Sequence, residues 1–226
     1  VLGDAPDIKG CSRTDTGVHA HQFCVSMKTE HPIPCQRLQA ALNHFLPADM
    51  AVLSCREVPL SFHARYSCRG KEYEYRIWNH PVRSPFLRDR ALHYWYPLDL
   101  DKMNRAAAYF VGPHDFSSFC TTDTRERGDM TRTLTASSWR REGDLVLYTV
   151  AGDGFLYNMV RILVGTMLRV AQGKMQPDDM PGILQAKDRR AAGPTAPACG
   201  LYLNRVFYDP ADLALSSEQT LETGKE

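Results

Sequence analysis

The stretch Glu72-Tyr73-Glu74-Tyr75-Arg76-Ile77-Trp78 constrains the fold more than any other part of the chain. Its side chains alternate. Tyr73, Tyr75 and Ile77 share one face, and Glu72, Glu74 and Arg76 share the other. That is the period of an extended strand, and no helix satisfies it. Helical patterns accompany it in the same chain. Residues 155–172 form the strongest one, closed by Gly173. Residues 34–46 form another, with Pro34 near the start and Leu38, Ala41, Leu42 and Phe45 in an i, i+3, i+4, i+7 stripe.

The remaining pattern is mixed in the same way. Residues 21–27, 51–58 and 201–208 read as strands. Residues 133–140 and 145–151 read as a hairpin around Glu142-Gly143-Asp144. Residues 101–111 read as a helix with Asp101 available as a cap, and 178–187 as a shorter one, while 80–90 is a loop. Interleaved strands, helices and hairpins predict an α+β fold with a mostly antiparallel sheet. A length of 226 residues suits one large domain or two small ones. We expect an N-terminal half over residues 1–90 and a C-terminal half over 91–209. A mobile tail is expected over 210–226, where the sequence is polar and aperiodic.

Several function classes are disfavoured. No run of 18 apolar residues exists, so no membrane-spanning helix is expected. Seven cysteines, odd in number, widely spaced and never C-x-x-C, fit neither a disulfide framework nor a zinc ribbon. Reduced thiols in a cytoplasmic protein fit better. The eight histidines form no metal-binding motif, so no metal site is expected. The net charge of +1 speaks against a uniformly basic coat, but it averages over unlike segments. Residues 56–90 hold eight Lys/Arg against four Asp/Glu, interleaved with Tyr66, Tyr73, Tyr75 and Trp78. Residues 125–141 hold five Arg against Glu126 and Asp129. Residues 209–226 carry a net −4, leaving +5 on the rest. A solvated face is the commonest meaning of such clusters; the interleaved aromatics favour RNA.

The segment Ser12-Arg13-Thr14-Asp15-Thr16-Gly17-Val18-His19-Ala20 is the most unusual. Taken alone, Asp15 there reads as an Asx turn before a strand. The segment resembles the G-R-T-D-x-G-V-H-A signature of the TruA family of tRNA pseudouridine synthases, with Ser12 in place of the leading glycine. Further segments resemble that family in order along the chain. They are Phe62-His63-Ala64-Arg65 with Lys71-Glu72-Tyr73-Glu74-Tyr75, then Gly112-Pro113-His114-Asp115-Phe116 with Ser118-Phe119. Gly154-Phe155-Leu156-Tyr157-Asn158-Met159-Val160-Arg161 with Val164-Gly165 follows, and then Ala196-Pro197 with Gly200-Leu201-Tyr202-Leu203.

The resemblance implies two ferredoxin-like, RRM-like halves joined into one mostly antiparallel sheet, with helices on one face and the active-site cleft between the halves. It implies isomerisation of uridine to pseudouridine in the tRNA anticodon stem-loop, at positions 38–40, by a homodimer that needs no metal or organic cofactor. Asp15 would be the essential carboxylate. Arg161, a charge inside an apolar helix, would pair with it; a snorkelling rim arginine is the plainer reading. Tyr73 would lie against the uracil, and Leu201 on the other side of the pocket. Core packing accounts for Tyr73 equally well and is a strong alternative for Leu201. Arg13 and Arg65 would meet phosphates or orient the extruded nucleotide, and His19 and His63 would contact RNA or order their loops. The rival readings are a catalytically inactive RNA-binding module of the same fold and, further off, a nucleoside or base hydrolase. Family members begin with a strand, a glycine-rich turn and a helix before the R-T-D loop. Little precedes Ser12 here, so that strand and helix are expected to be missing, and the chain to be unstable or inactive for want of them.

Overall fold

The computed structural model describes residues 6–121 and 128–210. The expected tail lies outside the described residues from 211 onward, as do Arg125, Glu126 and Arg127 of the second basic cluster. The fold is α+β with a mostly antiparallel sheet, as the sequence predicts. The chain divides into two units. One comprises residues 6–12, 24–68 and 208–210, the other 13–23 and 69–207.

In the first unit β1 (Lys9–Gly10) pairs antiparallel with β3 (Val25–Ser26). Helix α1 (Cys35–Phe45) begins directly after Pro34 and buries Leu38. The strand expected over 51–58 is not formed. Side chains of α1 take its backbone groups instead. Asn43 accepts from the Val52 amide and donates to the Val52 carbonyl, and Gln39 donates to the carbonyls of Val52 and Leu53. A segment whose polar groups are met by a neighbouring helix gains nothing from a ladder. The strand expected over 21–27 is also cut short. Only Val25 and Ser26 are extended, because the chain bends at His21–Gln22, where both amides turn to the Leu203 carbonyl.

The second unit is built on seven strands. They are β2 (His19–Ala20), β4 (Cys68–Trp78), β5 (Leu92–His93), β6 (Gly112–Asp115), β7 (Thr131–Glu142), β8 (Leu145–Gly152) and β9 (Leu201–Tyr208). Their order is β2-β9-β4-β8-β7-β6, with β5 also on β4. The pairs β4–β8, β7–β8 and β6–β7 are antiparallel, while β2 runs parallel to β9 and β5 to β4. Gly143, at φ 60°, turns the β7–β8 hairpin where Glu142 faces Leu145.

The alternation at 72–78 sorts the two sheet faces. Tyr75 opposes Tyr148, Tyr148 stacks on Trp139, and the Trp139 indole donates to Met167 of helix α3 (Met159–Ala171). Tyr75, Ile77 and Tyr148 are fully buried, each worth about 1.5–3 kcal/mol of apolar transfer. Helix α2 (Leu100–Ala108) packs beside α3. Its cap is Asp99, two residues before the expected Asp101, and its carboxylate accepts from the Lys102 amide. A fourth helix, α4 (Met180–Ala186), follows. On the opposite face Glu74, 7% exposed, is clamped by Arg76 at 3.0 Å and Arg140 at 2.9 Å. Burial pushes its carboxyl upward, but the Arg140 and Arg76 guanidiniums outweigh that and hold it below the usual range. Two of the arginines counted as basic surface are therefore spent on this ion pair. Among the described residues no helix is long and apolar enough to cross a membrane.

Candidate active site

The second unit brings Asp15 and Arg161 together across 146 positions of sequence. Asp15 sits in the loop before β2. Its carbonyl accepts from the Val18 amide, and Gly17 at φ 84° lets the chain turn there, with Ala198 3.5 Å from where a Cβ would stand. β2 then pairs His19 with Tyr202 and Ala20 with Leu203, which fixes the loop beside the start of β9.

Arg161 lies in the first turn of α3. Its Nη1 donates to Asp15 Oδ2 at 3.0 Å and to Asn158 Oδ1 at 2.8 Å, and its Nε donates to the Ala196 carbonyl at 2.7 Å. The Ala196 amide returns a bond to the Arg161 carbonyl. Asn158 stands at φ 61° ahead of the helix, a left-handed conformation that asparagine tolerates, and donates to Thr121 Oγ1. Three acceptors thus hold one guanidinium whose side chain is 17% exposed, against 33% for Asp15. Asp15 Oδ1 has no partner among the described residues. The snorkelling reading of Arg161 is set aside by this geometry.

Tyr73 is 7% exposed and meets Phe155 edge-on at 5.0 Å between ring centroids. Leu201, also 7% exposed, opens β9. Tyr75 donates to the Pro197 carbonyl, and Gly200 lies against its ring so closely that a Cβ would come within 2.7 Å. Burial pushes the Tyr75 phenol far above its ordinary value. The segment 196–200 is therefore pinned both to Arg161 and to the sheet.

The other expected residues are placed as follows. Arg13 is exposed in the Asp15 loop. Arg65 is exposed and belongs to the first unit. His63 accepts from the amides of Arg65 and Tyr66 and so orders its turn. His19 bonds the Asp89 carbonyl and stacks on Tyr202 at 4.6 Å. The Gly112–Asp115 segment is structural, since Asp115 accepts from Ser117 and pairs with Lys187 at 2.7 Å. Among the described residues no group of three or more His, Cys, Asp or Glu is placed to hold a metal ion. Sequence reasoning missed Asn158, Phe155 and the Ala196 carbonyl. Asparagine ahead of an apolar helix is a signal for the first; nothing local marks a backbone acceptor.

Comparison with known proteins gives the family. A family profile for tRNA pseudouridine synthase matches residues 5–67 and 106–209, spans that contain Asp15 and Arg161 but not Tyr73. The chain is 46% identical over 208 residues to tRNA pseudouridine synthase A of Acetivibrio thermocellus, covering 92% of this chain and 85% of the relative. It is 46% identical over 202 residues to that of Bacillus pumilus, covering 89% and 81%. The corresponding figures for Halalkalibacterium halodurans are 46% over 198 residues, 88% and 75%.

Proposed function

The chain belongs to the tRNA pseudouridine synthase family, and we propose that it isomerises uridine to pseudouridine at positions 38–40 of the tRNA anticodon stem-loop with Asp15 as the essential carboxylate. The reaction breaks the bond from C1′ to N1, turns the uracil in place and joins C1′ to C5. The C5 proton leaves and N1 ends protonated, so composition is unchanged. Asp15 engages the ribose. Arg161 holds Oδ2 of a carboxylate that is one-third exposed, and this contact is the observation that carries the reading. Tyr73, supported from behind by Phe155, lines the uracil pocket with Leu201 opposite. Arg13 and Arg65 engage the RNA backbone. The family resemblance also supports a homodimer working in the cytoplasm, and sedimentation of the purified protein tests the first of these.

Incubation with an unmodified tRNA transcript, followed by mapping of pseudouridine, tests the activity. Asp15→Ala abolishes it. Arg161→Ala lowers the single-turnover rate by about 10²–10³-fold while tRNA binding persists, because it removes a positioning charge from the site. Loss of binding with normal chemistry rejects that role. Unchanged activity in Tyr73→Phe limits Tyr73 to stacking, and free uracil in the product replaces isomerisation with hydrolysis.

A further inference from the structure

At the far end of α3 from Arg161 lies a cavity of about 410 Å³. Arg169, Lys174, Arg189 and Arg190 line it, with Met175 and Pro194 among its apolar walls. Its charge is poorly compensated. Arg190 pairs with Asp188 at 2.8 Å. Arg189 reaches only neutral oxygens, the Gly193 carbonyl and Thr195 Oγ1. Neither Arg169, Lys174 nor Arg189 has a carboxylate within 4.0 Å among the described residues. Arg189 is half-buried, and burial pulls it below the usual guanidinium range with nothing opposing. A half-buried cation without a counter-charge is costly, and an anion relieves that cost.

The cavity is tied to the catalytic side of α3 by one strap. The Gly193 amide donates to Thr166 Oγ1, and three residues on Ala196 exchanges bonds with Arg161. The same four residues thus wall the cavity at one end and anchor Arg161 at the other. Along α3 the step from 161 to 169 is about 12 Å. A volume of this size falls in the ~300–1,000 Å³ range of small-molecule sites, room enough for a phosphate group.

We propose that this cavity is a second RNA contact, holding backbone phosphate of the tRNA at a distance from the target uridine. It rests on the assignment of tRNA as substrate. Its energy is counterion release, so each cation engaged adds to the salt dependence of binding. Arg169, Lys174 and Arg189 engage the phosphate together; Arg189 also braces the wall through the Gly193 carbonyl and Thr195, so the test leaves it in place.

The test is tRNA affinity as a function of KCl, for the full protein and for Arg169→Gln/Lys174→Gln. Neither side chain makes a hydrogen bond or ion pair with another described residue, and the melting temperature checks that folding is retained. The variant is expected to bind more weakly at low salt, with the slope of log K against log[KCl] shallower by about 1.4–1.8. Its kcat at saturating tRNA should stay within twofold of the parent while KM rises. An unchanged slope and affinity overturns the proposal, as does a variant that loses binding of tripolyphosphate and keeps that of tRNA. A parent protein that binds tRNA but forms no pseudouridine refutes the catalytic reading alone, since the salt slopes are read without turnover.

Discussion

Gly165→Ala should damage stability and catalysis together, because α3 and the strap that anchors Arg161 meet at this residue. A Cβ on Gly165 would stand 1.7 Å from the Pro194 carbonyl oxygen and 2.8 Å from its carbon. Both are fixed backbone atoms. Restoring an ordinary 3.4 Å contact asks the strap to recede by about 1.7 Å. The Gly193 amide, now 2.9 Å from Thr166 Oγ1, would lose that buried bond. Overpacking costs about 1–3 kcal/mol and an unmet buried amide about 1–3 kcal/mol more. Alanine's helix preference returns about 1 kcal/mol. The net expectation is about 1–5 kcal/mol of lost stability. The same shift draws the Ala196 carbonyl from Arg161 Nε, and a misplacement of about 1 Å near the chemistry can cost ~10²-fold in rate. Urea unfolding followed by tryptophan fluorescence reads the stability, since Trp78, Trp95 and Trp139 all belong to the second unit. Single-turnover pseudouridine formation reads the rate. Gly182→Ala is the control, because nothing lies within 4 Å of a Cβ there; it should be neutral or stabilising. A Gly165→Ala protein matching the parent in both measurements refutes the argument.

Asp115 provides a pH prediction. Burial pushes its carboxyl up, but Lys187 and Ser117 hold it down at about 2 against an ordinary 3.8. A lowered folded pKa contributes stability that is present above pH ~4 and lost as pH falls toward ~2. Asp115→Asn should therefore flatten acid unfolding in that window and cost about 1–2 kcal/mol at neutral pH, discounted because Lys187 is exposed. An acid limb identical to the parent's rejects it. Burial, then the Cys35 thiol beside it, pushes Cys55 up to about 11. Iodoacetamide at pH 8 should alkylate it about 100-fold more slowly than an ordinary thiol, and faster in Cys35→Ser; peptide mass mapping decides. Asn43→Ala removes both bonds to Val52 and should cost about 1 kcal/mol, read as faster exchange of the Val52 amide.

What was legible in the sequence was what local spacing encodes. Period-2 alternation at 72–78 gave β4 and its buried face, and a glycine after an apolar run marked the end of α3. The two-residue strands β1, β2 and β5 are too short to carry a period, and they exist because β3, β9 and β4 offer partners. The expected strand at 51–58 failed for the converse reason, since Gln39 and Asn43 satisfied its backbone from a helix. The site follows the same division. A charge inside Met159-Val160-Arg161-Ile162 was visible as a cost that some partner must meet, and the motif resemblance named Asp15 as that partner. Of its other two partners, the Ala196 carbonyl was not visible, because any residue presents a main-chain carbonyl. The chain encodes that contact indirectly, by leaving out side chains. Gly165 and Gly193 sit where helix and strap touch: a Cβ on Gly165 would stand 1.7 Å from the Pro194 carbonyl oxygen, and one on Gly193 2.6 Å from the Thr166 Cα and 2.7 Å from the Gly165 carbonyl oxygen. The position of Arg161 thus depends on two absent methyl groups four and more residues away, which is why reading polar residues alone could find Arg161 but not what holds it.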